Sequence, residues 1–216
     1  MRKVSPSNYV SAKSLRSSKA LKSFERRRII LASRSKARQK LLRDIGIKFI
    51  VAESKVKEGR RIKTNCGDLV VKNALKKAKD VAKRFNSGVV IAADTVVLVG
   101  KKIIGKPKNI KDAFRTLKLL SRKPQWVYSG IAVIDIDKKR IYTSCDKTKV
   151  YMYHLTDREI KNYFKRVSPL DKAGSFDIQG FGSVFIDRIE GCYYNVVGLP
   201  MAKLANILKK TGMEVF

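Results

Sequence analysis

Eleven residues, Val89 to Val99, restrict the architecture more than any other stretch of the chain. The run Val-Val-Ile-Ala-Ala-Asp-Thr-Val-Val-Leu-Val holds nine apolar residues, six of them β-branched Val or Ile. That is the composition of a strand buried on both faces, which needs structure packed above and below it. Asp94 is out of place there, because a carboxylate in low dielectric is costly unless a cation or several donors hold it. The plain reading puts Asp94 at a strand end, capping a local turn. The sharper reading makes it a metal ligand or general base, with the small neighbours Ala92 and Ala93 letting a ligand approach the backbone. Gly105-Lys106-Pro107 follows and sets a cation in a rigid loop within reach of whatever Asp94 binds.

A chain of 216 residues suits one ordinary domain or two small lobes and can bury a sizeable core. Forty-nine basic against 18 acidic residues give a net charge of +31, which favours polyanionic contacts. Nine Lys or Arg and one acid, Glu25, lie in residues 1–28, and the rest of the excess is spread over the chain. Nucleic acid is therefore possible only through diffuse positive charge. Cys66, Cys145 and Cys192 are widely spaced and His154 is the sole histidine, which argues against a disulfide framework and a structural zinc. These features point to a reduced, cytoplasmic protein. No apolar run reaches membrane-span length, and no membrane association is expected. Residues 1–28 are Ser-rich and basic and could be a transit peptide, a tail or the product of an upstream start. They read as a disordered extension ahead of a domain over 29–216.

Order begins at Ile29 to Ala32, a strand running into Ser33-Arg34-Ser35 and then a helix with Ala37, Leu41, Leu42 and Ile45 on one face, stopped by Gly46. Ser33 and Ser35 are candidate caps. With Arg34, Lys36 and Arg38 nearby, this helix start is either a phosphate site or an ordinary strand-to-helix loop. Phe49 to Val51 is a short strand, after which Glu58 becomes available as a ligand. From Asp68 to Phe85 the apolar positions Val70, Ala74, Ala78, Val81 and Phe85 recur at helical spacing. Lys77 shares their stripe and must snorkel or meet an anion. A turn at Gly100-Lys101, a helix from Ile110 to Leu120 capped by Asn109, and strands over Gly130–Asp137 and Arg140–Met152 follow. Thr156-Asp-Arg-Glu159 is a capping box for a helix ending before Pro169.

The segment Asp171-Lys-Ala-Gly-Ser-Phe-Asp-Ile-Gln-Gly-Phe-Gly182 carries three glycines, the cation Lys172, and Gln179, which offers a base edge both a donor and an acceptor. It matches neither a P-loop nor a strand-linked G-x-G-x-x-G, and an ordinary glycine-rich connection would look similar. Ser183 to Ile186 reads as a strand, and Asn195 to Pro200 leads to a last helix with Leu204 and Leu208 inward.

Three stretches taken together resemble the Maf family, the septum-formation-inhibitor-like nucleoside triphosphate pyrophosphatases. They are Leu31-Ala-Ser33 with Ser35, Arg38, Leu41 and Leu42; Ala93-Asp-Thr95 with Gly105-Lys-Pro107; and Asp171-Lys-Ala-Gly174 with Ile178-Gln-Gly180 and Val196-Val-Gly-Leu-Pro200. The resemblance runs from about Ile29 to the C-terminus. It implies an α/β fold with a strongly twisted mixed sheet, flanking helices and two lobes around a cleft, usually in a homodimer. It also implies hydrolysis of a nucleoside triphosphate to monophosphate and pyrophosphate with a divalent metal, Mg or Mn.

On that resemblance Asp94 falls on the proton acceptor, and Glu58 and Asp94 would hold the metal. Lys77, Lys106 and Lys172 fall on basic positions round the phosphates, with Ser33 and Arg38 at the phosphate end of the cleft. Thr95 and Gln179 look like the dTTP/UTP type at the base-reading positions. The sequence departs from the family at Ala37, where an arginine tied to substrate choice is usual, and at Lys40, Gln125 and Ser168. The nucleotide preference therefore stays open. The expected function is removal of surplus or modified pyrimidine nucleotides, with a possible link to division arrest. Alternatives are a catalytically silent member of the family and a basic nucleic-acid-binding protein.

Overall fold

The computed structural model describes residues 27–59 and 65–213; residues 1–26, where most of the expected disordered extension falls, lie outside the described residues. In chain order the elements are β1 (Ile29–Leu31), α1 (Lys36–Asp44), β2 (Ile50–Val51), α2 (Cys66–Ala82), β3 (Val89–Val99), β4 (Lys102–Ile104) and α3 (Ile110–Leu120). Then come β5 (Gln125–Asp135), β6 (Arg140–Met152), α4 (Asp157–Arg166), two 3-10 turns (Ala173–Ser175 and Gly180–Phe185), β7 (Ile186–Glu190), α5 (Tyr193–Val197) and α6 (Met201–Lys210). The seven strands form one mixed sheet in the order β2-β1-β3-β5-β6-β7, with β4 also pairing β3. β1 runs parallel to β2 and β3, and the remaining pairings are antiparallel.

β3 is the central strand that its composition predicts, and its alternation divides the core into four parts. Ile91 and Ala93 face Leu41 and Leu42 of α1 and Leu204 and Leu208 of α6. Further along the same face, Val97 and Val99 meet Leu117 and Leu120 of α3 and Ile160 and Tyr163 of α4. On the opposite face Val90 and Ala92 pack under Ala74, Ala78 and Val81 of α2, and Val96 meets Cys66 and Val70 at the start of that helix. Each face thus carries two apolar bodies, and they part at Asp94 on one face and Thr95 on the other. Asp94 is mid-strand, opposite Gly130 of β5, so the reading of a strand-end cap fails. Gly130 is required there because a Cβ would lie 2.4 Å from the Val70 backbone, where α2 crosses the sheet.

The sequence misplaces several details. Ile45 is 42% exposed because α1 ends at Asp44 and Ile45 is already its C-cap. Ile110 is 51% exposed, since it is the first residue of α3 and precedes the buried stripe. β5 begins at Gln125 rather than Gly130. Ser183 to Phe185 belongs to a 3-10 turn, and the strand starts only at Ile186. The turn folds tightly enough that a Cβ on Gly182 would overlap the Asp177 carbonyl oxygen, a path closed to an extended strand of larger residues. The chain also extends the fold back past Ile29, for Arg27 is bonded to Asp135, Asp137 and Thr211.

Candidate active site

A gap in the backbone pairing prepares the site. β1 follows β3 only as far as Ile91, whose carbonyl takes the Ala32 N–H at 2.7 Å, and β4 joins β3 only from Val97. Between them one edge of β3 has no strand partner among the described residues, and the carbonyls facing that edge need donors. Arg38 Nη1 donates to Ala93 O at 2.9 Å, and Lys77 Nζ reaches the same oxygen at 3.4 Å. Two cations from different helices are thereby drawn beside Asp94.

On the α2 side the Asp94 carboxylate is 4% exposed. Its Oδ1 accepts from Lys77 Nζ at 2.8 Å and its Oδ2 from Asn73 Nδ2 at 2.8 Å. Asn73 and Lys77 are four residues apart on α2, on the face that carries Val70, Ala74 and Val81, so one helical stripe supplies both donors. Asn65 caps this helix by accepting from the Asp68 N–H. Lys77 therefore meets an anion rather than snorkelling, and it meets two: its Nζ is 2.5 Å from Glu58 Oε1. Asn73 also fixes the loop that presents Glu58, accepting from Gly59 N–H at 2.9 Å and donating to Gly59 O at 3.0 Å. Burial alone would raise the Glu58 carboxyl. The Lys77 ammonium, contact with Asp94 and the Arg38 charge outweigh it and hold Glu58 below the usual carboxylate range.

On the other face Arg38 is 9% exposed. Besides Ala93 O it donates from Nε to Gly198 O at 2.8 Å, from Nη1 to Ser33 Oγ at 3.2 Å and from Nη2 to Thr95 Oγ1 at 2.9 Å. Four of its five donors are thus spent inside the protein. Burial lowers its pKa, and Asp94 and Glu58 partly restore it; a guanidinium remains charged throughout. Ser35, not Ser33, caps α1, accepting from the Arg38 N–H, and Ala37 sits half-buried in the first turn beside Arg38. Thr95 Oγ1 continues to Ser129 Oγ at 2.9 Å, and Ser129 Oγ donates to Asn195 O.

Lys106, Lys172 and Gln179 come from a second group of loops. Gly174 N–H donates to Gly105 O at 3.2 Å, joining the Gly105-Lys106-Pro107 loop to the segment that bears Lys172. Lys106 is exposed, and Lys172 pairs with Asp171 at 2.7 Å. Half-buried Gln179 is fixed through its N–H to Asp177 Oδ1 at 2.9 Å, and Asp177 N–H in turn donates to the Tyr163 hydroxyl. Burial pushes that hydroxyl up to about 12, so it stays neutral. Glu58, Lys77, Asp94, Arg38, Ser33 and Thr95 form one bonded constellation, whereas the bonds described for Lys172 and Gln179 stay within their own segment.

Asn73, Ser129 and Asn195 escaped the sequence reading. Asn73 could have been found, for a polar residue four before Lys77 on an apolar stripe has the same problem as Lys77. Ser129 lies in a strand whose register with β3 no spacing rule supplies. Among the described residues no group of three or more His, Cys, Asp or Glu side chains could hold a metal. The available donor set is Glu58 and Asp94, two hard carboxylates already gathered round an ammonium. Such a pair suits Mg²⁺ or Mn²⁺ when substrate phosphates complete the shell.

The family model described as Maf-like protein matches residues 28–211. A dTTP/UTP pyrophosphatase of Dictyoglomus turgidum is 43% identical over 191 residues, covering 88% of this chain and 99% of that protein. A dTTP/UTP pyrophosphatase of Methanosarcina barkeri is 42% identical over 191 residues, covering 88% and 97%. Among solved structures, a HAM1 protein from Coxiella burnetii is 16% identical with a TM-score of 0.48, covering 85% of this chain and 98% of that one.

Proposed function

The chain belongs to the Maf family, and from that premise we propose that it is a nucleoside triphosphate pyrophosphatase acting on dTTP and UTP. The observation that carries this reading is Asp94: a carboxylate in the middle of a buried strand, held by Lys77 and Asn73 and adjoined by Glu58. The reaction cleaves the anhydride between the α- and β-phosphates. Water forms the new P–O bond, the bridging oxygen leaves with pyrophosphate, and the water's proton passes to Asp94. General-base assistance of this kind contributes about a hundred- to ten-thousandfold.

Glu58 and Asp94 would hold a divalent cation, Mg²⁺ or Mn²⁺, which when bound supplies positive charge to the phosphate oxygens. Lys77 balances the two carboxylates before substrate arrives and can turn toward phosphate as they are engaged. Lys106 and Lys172, on the two loops joined by the Gly174–Gly105 hydrogen bond, would add charge where it develops on the leaving pyrophosphate. Arg38, with most of its donors committed to Gly198, Ala93, Ser33 and Thr95, acts by positioning: it fixes the phosphate-end loop and orients the Thr95 hydroxyl. Gln179 reads the base edge with its amide. Ala37 removes the side chain that would extend from the first turn of α1, leaving base choice to Thr95 and Gln179.

The proposal includes a homodimer in the cytoplasm. The free thiols of Cys66, Cys145 and Cys192 fit the reducing compartment. Pyrophosphate release from a panel of nucleoside triphosphates with Mg²⁺ or Mn²⁺ tests the function. Turnover of dTTP and UTP that is lost in Asp94→Asn is expected. Folded wild-type protein that hydrolyses no member of the panel would overturn the reading and favour the silent family member. Light scattering on the eluting protein checks the dimer.

A further inference from the structure

The β5–β6–β7 end of the sheet carries a second surface, on the same face as Asp94 but set off from it by the Val96–Tyr128 pair. Register places Trp126 opposite Lys149, Tyr128 opposite Lys147, Tyr151 opposite Arg188, and Lys149 opposite Glu190. Because side chains alternate across a strand, Trp126, Lys147, Lys149, Tyr151 and Arg188 share one face. Val127 and Val150, their neighbours in sequence, point to the apolar core on the other. The shared face stays open to solvent: Lys147 and Arg188 are exposed, and Trp126, Lys149 and Tyr151 are only half-buried.

Cations and rings interleave there. Lys147 and Lys149 lie 5.3 and 5.7 Å from the Trp126 ring centre, Lys149 lies 4.9 Å from that of Tyr151, and the Arg188 guanidinium sits 3.7 Å from the Tyr151 ring. Two acids lie beside Arg188: Asp187 Oδ2 accepts from its Nη1 at 2.8 Å, and Glu190 is 4.0 Å away.

From this face we infer that the protein binds single-stranded nucleic acid through Trp126, Tyr151 and their flanking cations. Sheet faces that hold single strands combine exposed rings, on which bases stack, with cations that follow the phosphates. Both are present here in alternation across three strands. Trp126 and Tyr151 are diagonal neighbours about 7–8 Å apart, so two bases of an extended strand can each take a ring. The lysines now lying over Trp126 are flexible and can swing to phosphate, while the planar Arg188 group already offers a stacking surface on Tyr151. An anionic lipid surface would use the charges and also favours Trp and Tyr at its interface. Here, however, the rings lie beneath Lys147, Lys149 and Arg188 rather than protruding past them, which suits a strand threaded among the cations better than insertion between headgroups. The net charge of +31 adds general attraction for a polyanion.

Trp126 is the only tryptophan of the chain, so intrinsic emission reads this face directly. The full chain is titrated with a short oligothymidylate, and emission is followed together with the anisotropy of a labelled strand. We expect quenching that tracks binding and weakens with salt, the logarithmic slope being about −0.7 for each phosphate contacted. Lys147→Glu combined with Lys149→Glu should weaken binding at least about tenfold, the loss of two phosphate contacts, and move the quenching to correspondingly higher strand concentrations. Lys147→Gln with Lys149→Gln repeats the test with less disturbance of charge, and an unchanged melting temperature in either variant certifies the fold. Binding without quenching, undiminished binding by both variants, or quenching by anionic vesicles but not by the strand would each overturn the inference.

Discussion

Asp94 on β3 and Asp135 at the end of β5 are both buried carboxylates, 4% and 0% exposed, yet their partners differ in kind. Asp135 is closed by a fork: Arg27 donates to both of its oxygens, at 2.5 and 3.1 Å, and the Lys138 N–H adds a third bond. The same Arg27 reaches Thr211 O, and Lys138 Nζ reaches that oxygen at 2.8 Å, so the start of the fold, the β5–β6 turn and the end of α6 are tied at one point. Asp94 has instead an amide and an ammonium, and the ammonium is shared with the half-exposed Glu58. A bidentate guanidinium holds a carboxylate in one geometry. A lysine on a flexible stem, shared between two acids, can be redistributed when another charge arrives. The first arrangement secures the fold, and the second leaves a carboxylate free to change partners.

The largest effect that separates the two is on rate. Asp94→Asn should lower kcat by about a hundred- to ten-thousandfold with little loss in melting temperature, since Lys77 keeps Glu58 as a partner. Asp135→Asn should do the reverse, leaving kcat per folded molecule unchanged and costing about 3 kcal/mol in a denaturant titration, as expected when one half of a buried pair is removed. If Asp135→Asn slows turnover by as much as Asp94→Asn, the division of labour between the two acids is wrong.

Asn73 tests where the boundary between these roles lies. It bonds Asp94 like a site residue and grips Gly59 like a structural one. Asn73→Ala should lower kcat about tenfold, equivalent to about 1.4 kcal/mol, because Asp94 loses its orientation and the Glu58 loop its tie. A variant that melts earlier but turns over normally would move Asn73 to the structural side with Arg27.

The same contrast explains what the sequence disclosed. Asp94 was legible because a charge inside a Val-Ile run has no ordinary explanation, and Lys77 because it interrupts a helical stripe. Both signals are local. The Arg27–Asp135 tie spans 108 residues, and Arg27 reads from sequence as part of a disordered extension, for nothing near it marks its partner. Arg38 was legible as a cation near the site, but its four internal bonds depend on where β1 ends and β4 begins, which only the pairing of strands decides. The 3-10 path of Gly180–Phe185 was hidden for a related reason: its apolar residues suit a strand, and the tight packing of Gly182 against Asp177 overrides them. Local incompatibility can be read from residues, whereas closure between distant segments cannot.

The smallest effect sharpens the comparison in acid. Burial would raise the Asp135 carboxyl, but the hydrogen bond and charge of Arg27, with the Lys138 N–H, hold it below its ordinary value. A carboxyl depressed in the folded state binds fewer protons there than in the unfolded chain. Its contribution to stability is therefore complete above the unfolded value of about 3.9 and is lost as pH falls through the lower folded value. Wild type should accordingly lose stability more steeply below about pH 4 than Asp135→Asn, whose amide does not titrate, and the two curves should converge at low pH. Arg27→Gln should flatten the curve in the same way, since it removes the donor responsible. Parallel acid limbs for wild type and both variants would mean that the fork, despite its geometry, does not set the proton affinity of Asp135.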